Sequence, residues 1–376
     1  MKVLRLLAFL AILMLVTSTS AAAGVSPGPS MHKARAFFSV AELLNGDVLV
    51  AGGFDVGAIF TGGPPIFPDA EVYDWHANAW RTVAPMHVGR AAAVPVVLHD
   101  GRVMVIGGVT ATQTITNTVE IYDPRTDTWS FTGNLNDARF EDHTAFVIPG
   151  DRVFVAGGYT NGETALASAE IWDPRTGTWT RAESMHQPRG EFSSTMLHDG
   201  RILVAGGAPA EEAPPTNTAE IYDPRTGHWT VTASMSQTRF DHSSALLRDG
   251  RVLVAGGGTV TASGLVYTST AEVYDPVTAT WSSTGSMTTP HSEAEWASVL
   301  LPDGRFVVPG GFTAFDQPGA NVDIYDPASG TWTSGGTLST PRAGHSGVLL
   351  RGNRGVLVIG GLVHPPFATA TTDLIQ

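Results

Sequence analysis

Cysteine is absent from this chain of 376 residues. That excludes disulfides, thiolate metal ligands, a cysteine nucleophile and a lipid-modified cysteine, so stability must come from packing alone. Charge is also sparse, at 15% of residues, and no long run of one sign occurs. The formal net charge is −13 without any cluster of Lys and Arg. This opposes binding to nucleic acid and to anionic membrane surfaces, both of which need clustered cations. No N-x-S/T acceptor is present, and neither are G-x-S-x-G, H-E-x-x-H or EF-hand patterns. Beyond Val16 there is no helical periodicity and no apolar run of membrane-spanning length.

The first 23 residues differ from the rest. Lys2 and Arg5 precede an apolar run from Leu6 to Val16, and small residues follow, with Ala21 and Ala23 in A-x-A positions. This is the layout of a signal peptide cleaved before Gly24. The expectation is export, to the periplasm or the exterior, as a monomer with no membrane span in the mature chain.

What is abundant is glycine, with 42 residues, and much of it recurs at a fixed period. Gly-Gly pairs after apolar runs stand at 52–53, 107–108, 157–158, 206–207, 256–257, 310–311 and 360–361. An aromatic follows six of them: Tyr73, Tyr122, Trp172, Tyr222, Tyr274 and Tyr325. Seven residues after each aromatic comes a Trp, from Trp80 to Trp332, and six further on a Met or Leu. Four beyond that is Arg, except where His291 replaces it. "SSALLRDGRVLVAGG" reads as two strands joined by an Asp-Gly turn, and "TAEIYDPRTGHW" as a third strand, a turn and a fourth. Glycine inside a strand marks close approach by another group, here expected to be the neighbouring Tyr and Trp rings. Four short strands per unit, repeated radially, describe a β-propeller blade.

Gly-Gly after an apolar strand, then Tyr-Asp-Pro, then Trp, at a period near fifty, resembles the kelch repeat. The resemblance runs from about Val25 to Gln376. It implies an all-β, seven-bladed propeller of four-stranded antiparallel blades. It leaves function open, because kelch propellers include partner-binding scaffolds, carbohydrate-active enzymes and secreted modules. Galactose-oxidase-like enzymes of this fold use a Cys-Tyr crosslink around copper. A chain without cysteine cannot build one, and no cofactor is expected.

The seventh unit ends at "TTDLIQ", which matches "TAEIYD" of the fourth, so its Trp strand is missing. Met31 and Arg35 occupy the Met and Arg places of the repeat, and Val25 then falls where Trp belongs. Residues 24–30 are therefore expected to supply the outer strand of blade seven, closing the ring within a single domain spanning 24–376. Closure removes an exposed sheet edge.

Candidate site residues lie just before the innermost strands. "RFEDH" (139–143), "RGEF" (189–192), "RFDH" (239–242), "HSEAEW" (291–296) and "RAGH" (342–345) share this place. Counting back from the following Gly-Arg turn puts His143, Phe192, His242, Trp296 and His345 in one column, with Asp142, Glu191, Asp241 and Glu295 in the column before it. With Arg139 and Glu293, these residues form a candidate ring at the channel mouth. Such a ring could bind a cation through carboxylates, hold a metal through imidazole, or supply acid/base pairs. Alternatively, Arg and carboxylates of adjacent blades pair structurally and the imidazoles bond to backbone. The loops between second and third strands vary most, and loops on a rigid scaffold carry binding residues. Trp75, Tyr159, Trp296 and Phe315 are the aromatics expected to be exposed for a glycan. The leading expectation is a non-catalytic scaffold for protein or glycan. The alternative is a mutarotase-, epimerase- or lyase-like enzyme acting on carbohydrate through the Asp/Glu/His ring.

Overall fold

The computed structural model describes residues 24–376 apart from 61, 142, 162, 163, 212, 262 and 263. The signal-peptide segment and Asp142 lie outside the described residues. Seven four-stranded antiparallel sheets follow one another along the chain. Blade 5 is representative, with strands Ser243–Leu246, Val252–Ala255, Ala271–Asp275 and Thr280–Ser283 from inside to outside. The second strand of each blade is buried on both faces, which is why it reads as a continuous Val/Leu/Ile run rather than an alternation.

Blade 7 is built from both ends of the chain. Val25–Gly28 pairs with Thr372–Ile375, Val25 facing Ile375 and Gly28 facing Thr372. Val25, in the place of the missing Trp, is buried among Val307, Val322, Val356 and Ile375. The closing strand read from the register is therefore present, and it is four residues long.

In blades 1 to 6 the third-strand aromatic, Tyr or in blade 3 Trp172, faces the fourth-strand Trp in register, and the pair covers the preceding blade. Tyr222 opposes Trp229 with ring centroids 5.1 Å apart, and Tyr222 stacks on Phe154 of blade 3 at 4.2 Å. Fully burying an apolar side chain is worth about 1.5–3 kcal/mol. Repeating this pair six times makes the blade-to-blade seams the main core.

The Gly-Gly pairs serve a different contact from the one expected. A Cβ on Gly52 would lie 2.2 Å from the carbonyl oxygen of Arg90 in the next blade. The first glycine of each pair is thus approached by the next blade's Arg loop, and the second by the loop of its own blade, as Gly53 is by Ala36 and Phe38, not by the Tyr and Trp rings. The second glycine of each pair donates its N–H to that carbonyl: Gly53 to Arg90 (2.8 Å), Gly257 to His291 (2.7 Å), Gly311 to Arg342 (2.8 Å). Gly361 closes the circle on Arg35 (2.8 Å).

Candidate functional site

The recurring arginine is wholly buried in every blade that has it. Arg189 Nη1 donates to the Gly206 and Thr218 carbonyls at 2.8 and 2.9 Å, and Nη2 reaches Glu220 Oε1 at 3.1 Å. Arg35–Glu71, Arg90–Glu120, Arg139–Glu170, Arg239–Glu272 and Arg342–Asp373 repeat this pair at 2.8–3.1 Å. The carboxylate belongs to the third strand of the same blade, not to an adjacent blade as the sequence suggested. Its other contacts are backbone amides after the Met position, such as His186 and Gln187 N–H on Glu220. A buried ion pair is tolerable when its remaining lone pairs are satisfied in this way. Burial lowers the pKa of Arg139, while Glu170 acts to raise it. Arg139 is accordingly a clamp inside blade 3 and does not reach the channel mouth.

His143, His242 and His345 are 2%, 1% and 0% exposed, wedged between neighbouring blades at the glycine pairs. Gly206 and Gly257 both face the His242 ring or its Cβ, and Phe38 and Phe192 take the same place in blades 1 and 4. Burial first, and a nearby Arg second, push His242 and His345 down to about 3. His143 is lowered well below its ordinary value for the same reasons. Burial thus favours the neutral form of all three imidazoles. The expected column is also corrected at Trp296, because Ala294 occupies that place under Gly311.

The mouth itself is a ring of seven left-handed residues, two positions after each Arg or, in blade 6, after His291. Phe37, Ala92, Glu141, Glu191, Asp241, Glu293 and Gly344 all have φ between 49° and 56°. Their amides hand hydrogen bonds from blade to blade: Phe37 to the Gly344 carbonyl (3.0 Å), Ala92 to Phe37 (2.8 Å), Asp241 to Glu191 (3.0 Å) and Glu293 to Asp241 (3.3 Å). Left-handed backbone costs about 1–2 kcal/mol for a residue with a Cβ, which the shared bonds offset.

Four successive members of the ring are acidic and buried: Glu141, Glu191, Asp241 and Glu293. Glu191 and Asp241, both named from the sequence, belong to this ring, as does Glu293. Counting back from the Gly-Arg turn selects Asp142 and Glu295, whereas the left-handed residues of blades 3 and 6 are Glu141 and Glu293. Blade 3 has one extra residue and blade 6 has two between the Arg position and the inner strand, so counting back from the Gly-Arg turn crosses them. Counting forward from Arg finds Glu141 and Glu293 directly. The blade 6 insertion is Glu295-Trp296, which projects at the mouth. Trp296 meets Phe37 edge to face, with centroids 6.3 Å apart.

Between these groups is a cavity walled by Glu141, Asp241, Glu293 and Glu295, with Phe37, Trp296 and His345 completing it. Among the described residues, no group of three or more His, Asp or Glu is arranged to hold a metal ion. Beside the mouth, the loops after the second strands of blades 5, 6 and 7 form hairpins. These span 258–267, 312–318 and 362–368, and neighbouring hairpins touch. Phe60 of the blade 1 loop stacks on Phe367 at 6.3 Å and extends the same row. The row exposes Phe60 (76%), Phe315 (73%) and Leu265 (42%). Tyr159, expected to be exposed, is instead buried.

Comparison with known proteins follows this geometry. The profile of the family described as Attractin/LZTR1 beta-propeller matches residues 48–319. An F-box/kelch-repeat protein of Arabidopsis thaliana is 35% identical over 111 residues, which is 29% of this chain and 26% of that protein. The matched stretch thus spans about a quarter of that relative. The solved structure of YjhT superposes with a TM-score of 0.64 at 15% identity, over 82% of this chain and 99% of that one. A fungal alcohol oxidase of the AA5 family, solved in complex with copper, gives a TM-score of 0.71 at 17% identity. That match covers 93% of this chain and 75% of the oxidase. At such identities the likeness is one of fold.

Proposed function

The chain belongs to the Attractin/LZTR1 β-propeller family, of kelch type, and from that premise we propose that it is an exported, monomeric, non-catalytic interaction scaffold. Its partner is a protein, engaged by the face that carries the channel mouth and the hairpin row. The observation that carries this reading is the run of exposed apolar side chains, Phe60, Phe315 and Leu265, on adjoining loops of a rigid ring. Contiguous apolar surface on a soluble fold marks interaction sites, and aromatic anchors dominate protein interfaces. The recurring Arg, Glu and His residues support the same reading, since blade construction consumes them and leaves the loops to vary.

A glycan is the second reading, favoured by one observation: carboxylates stand beside Trp296 at the mouth. The distinguishing experiment is affinity capture with wild type and a Phe60→Ser/Phe315→Ser variant, followed by reconstitution with the purified partner, in parallel with a glycan array. The scaffold reading expects a protein that binds wild type directly and is lost from the folded variant. Glycan binding alone, or turnover of a sugar, would overturn it.

A further inference from the structure

We propose that the turn at 295–297, together with the ring of Phe37, is a built-in stopper that closes the central channel at this mouth. A partner then meets the rim, and a small molecule cannot reach the ring of carboxylates. The cavity left at the mouth has walls from blades 1, 3, 5, 6 and 7, among them Phe37, Glu141, Asp241, Trp296 and His345, so it lies on the channel axis. Its volume is about 10 Å³, room for one water. Pockets that hold small molecules are on the order of 300–1,000 Å³. What fills the difference is the chain itself.

The stopper is made by the blade 6 insertion. Glu295 and Trp296 stand between Ala294 and Ala297, and the Ala297 N–H closes a turn on the Ala294 carbonyl at 3.0 Å. The inner strand of blade 6 is thereby cut to Val299–Leu300, where blade 5 has Ser243–Leu246. Instead of pairing within its own blade, the turn crosses to two neighbours. The Trp296 carbonyl accepts the Gly347 N–H of blade 7 at 3.0 Å. The indole meets Phe37 of blade 1 edge to face, a contact worth about 0.5–1.5 kcal/mol beyond its buried area.

Blade 7 makes room for this at two positions, which is an independent sign that the closure is built in. Gly347 takes the place that Val40, Pro95, Ala145, Ser194 and Ser244 hold in other inner strands. It is not among the left-handed glycines, so its backbone does not demand glycine. Space does, because a Cβ there would lie 2.2 Å from the Ala297 carbonyl oxygen. Gly344 takes the ring position, and a Cβ there would lie 2.7 Å from the Phe37 ring. Phe37 is itself an aromatic held at φ 51°, a conformation uncommon for a bulky side chain. An insertion in blade 6, an aromatic in blade 1 and two glycines in blade 7 thus fit one another.

The test exploits the absence of cysteine. Asp241→Cys places a single thiol on the cavity wall, and Thr126→Cys, in an exposed turn of the opposite face, is the reference. Each is labelled with methyl methanethiosulfonate and with the bulky N-(1-pyrenyl)maleimide, since the ratio of the two rates cancels the thiol's own ionisation. With the turn intact, the small-to-bulky ratio at position 241 is expected to exceed that at position 126 by at least about 100-fold. Deleting Glu295 and Trp296, which restores the length of the repeat, is expected to lower it at least about tenfold. Trp296→Ala keeps the backbone of the turn and is expected to lower it too, so either variant serves if circular dichroism shows the other unfolded. A ratio at position 241 equal to the reference with the turn intact, or unchanged in a folded variant, would overturn the stopper. Partner capture through Phe60 and Phe315 is a separate readout, whose failure removes the scaffold and leaves the stopper standing.

Discussion

His291 Nε2 lies 2.8 Å from Asp323 Oδ2, with both side chains buried, where the other blades pair an arginine with a carboxylate. Nδ1 of the same ring meets the Gly310 carbonyl, so the ring bridges the glycine pair and the third strand. Burial pushes Asp323 up, but hydrogen bonds from His291 and Thr288 outweigh it and hold its carboxyl below the ordinary value. The imidazole therefore reproduces two of the arginine's three contacts, those to the glycine carbonyl and the carboxylate, with a shorter side chain. His291→Arg is expected to be tolerated, because blade 7 already pairs Arg342 with an aspartate at 2.9 Å. His291→Phe, which leaves buried Asp323 with only its Thr288 and Thr289 contacts, is expected to cost about 3 kcal/mol by urea denaturation.

The same rule predicts the cost of breaking an ordinary clamp. Arg189→Met leaves Glu220 buried beside amides that demand a negative charge, and should destabilise the fold by about 3–5 kcal/mol. Because Arg189 and Glu220 pair directly at 3.1 Å, Arg189→Met/Glu220→Gln should cost less than the two single changes added together. Chemical denaturation of the three variants checks this.

Acid sensitivity follows from the three sealed histidines. Their folded pKa values lie below the unfolded value near 6.5, with His242 and His345 at about 3. The neutral form is thus favoured by folding. That stability is fully present above pH 6.5 or so; for His242 and His345 it declines as pH falls towards 3, by about 1.4 kcal/mol per pH unit each, and His143 acts in the same direction. His143→Phe and His242→Phe place a ring already used at Phe38 and Phe192. The double variant is expected to show a flatter decline of Tm between pH 6.5 and 4.5 than wild type.

Two glycines separate close approach from backbone freedom. Gly52→Ala drives a Cβ to 2.2 Å from the Arg90 carbonyl oxygen and should cost about 3 kcal/mol or more, since the joint of blades 1 and 2 must open. Gly227 also has positive φ, at 77°, but nothing lies within 4 Å of its added Cβ. Gly227→Ala should cost only the left-handed strain, about 1 kcal/mol.

Ring closure is tested by removing its strand. Deleting residues 24–30 uncovers the edge of Thr372–Ile375 and the apolar cluster around Val307 and Val356. The product should melt about 10 °C or more below wild type and aggregate through the open edge. An undiminished Tm would contradict closure by this segment.

The ring was legible in the sequence because its determinants are local and periodic. Gly-Gly, Tyr and Trp recur at constant offsets, and the same offsets carry Val25 and Ile375 into one blade. The clamp was half legible: Arg recurs visibly, but its partner is the Glu of "AEIYD", a strand residue that alternation alone does not mark as a buried charge. The mouth was legible to within one or two residues. Asp142 and Glu295-Trp296 interrupt the count, and only the left-handed backbone at Glu141 and Glu293 shows which carboxylates share the ring. The sealing of His143 and His242 follows from packing between blades, which no spacing within one blade expresses.

The measurement that bears most directly on the account is hydrogen–deuterium exchange of the propeller with and without its reconstituted protein partner. Protection is expected in the mouth segments 139–143, 239–242 and 291–298, and in the loops 54–69, 258–270 and 312–320. The turns on the opposite face, such as 223–227 and 275–279, should exchange unchanged. Protection confined to that opposite face or to the outer strands, with the mouth unaffected, would contradict it.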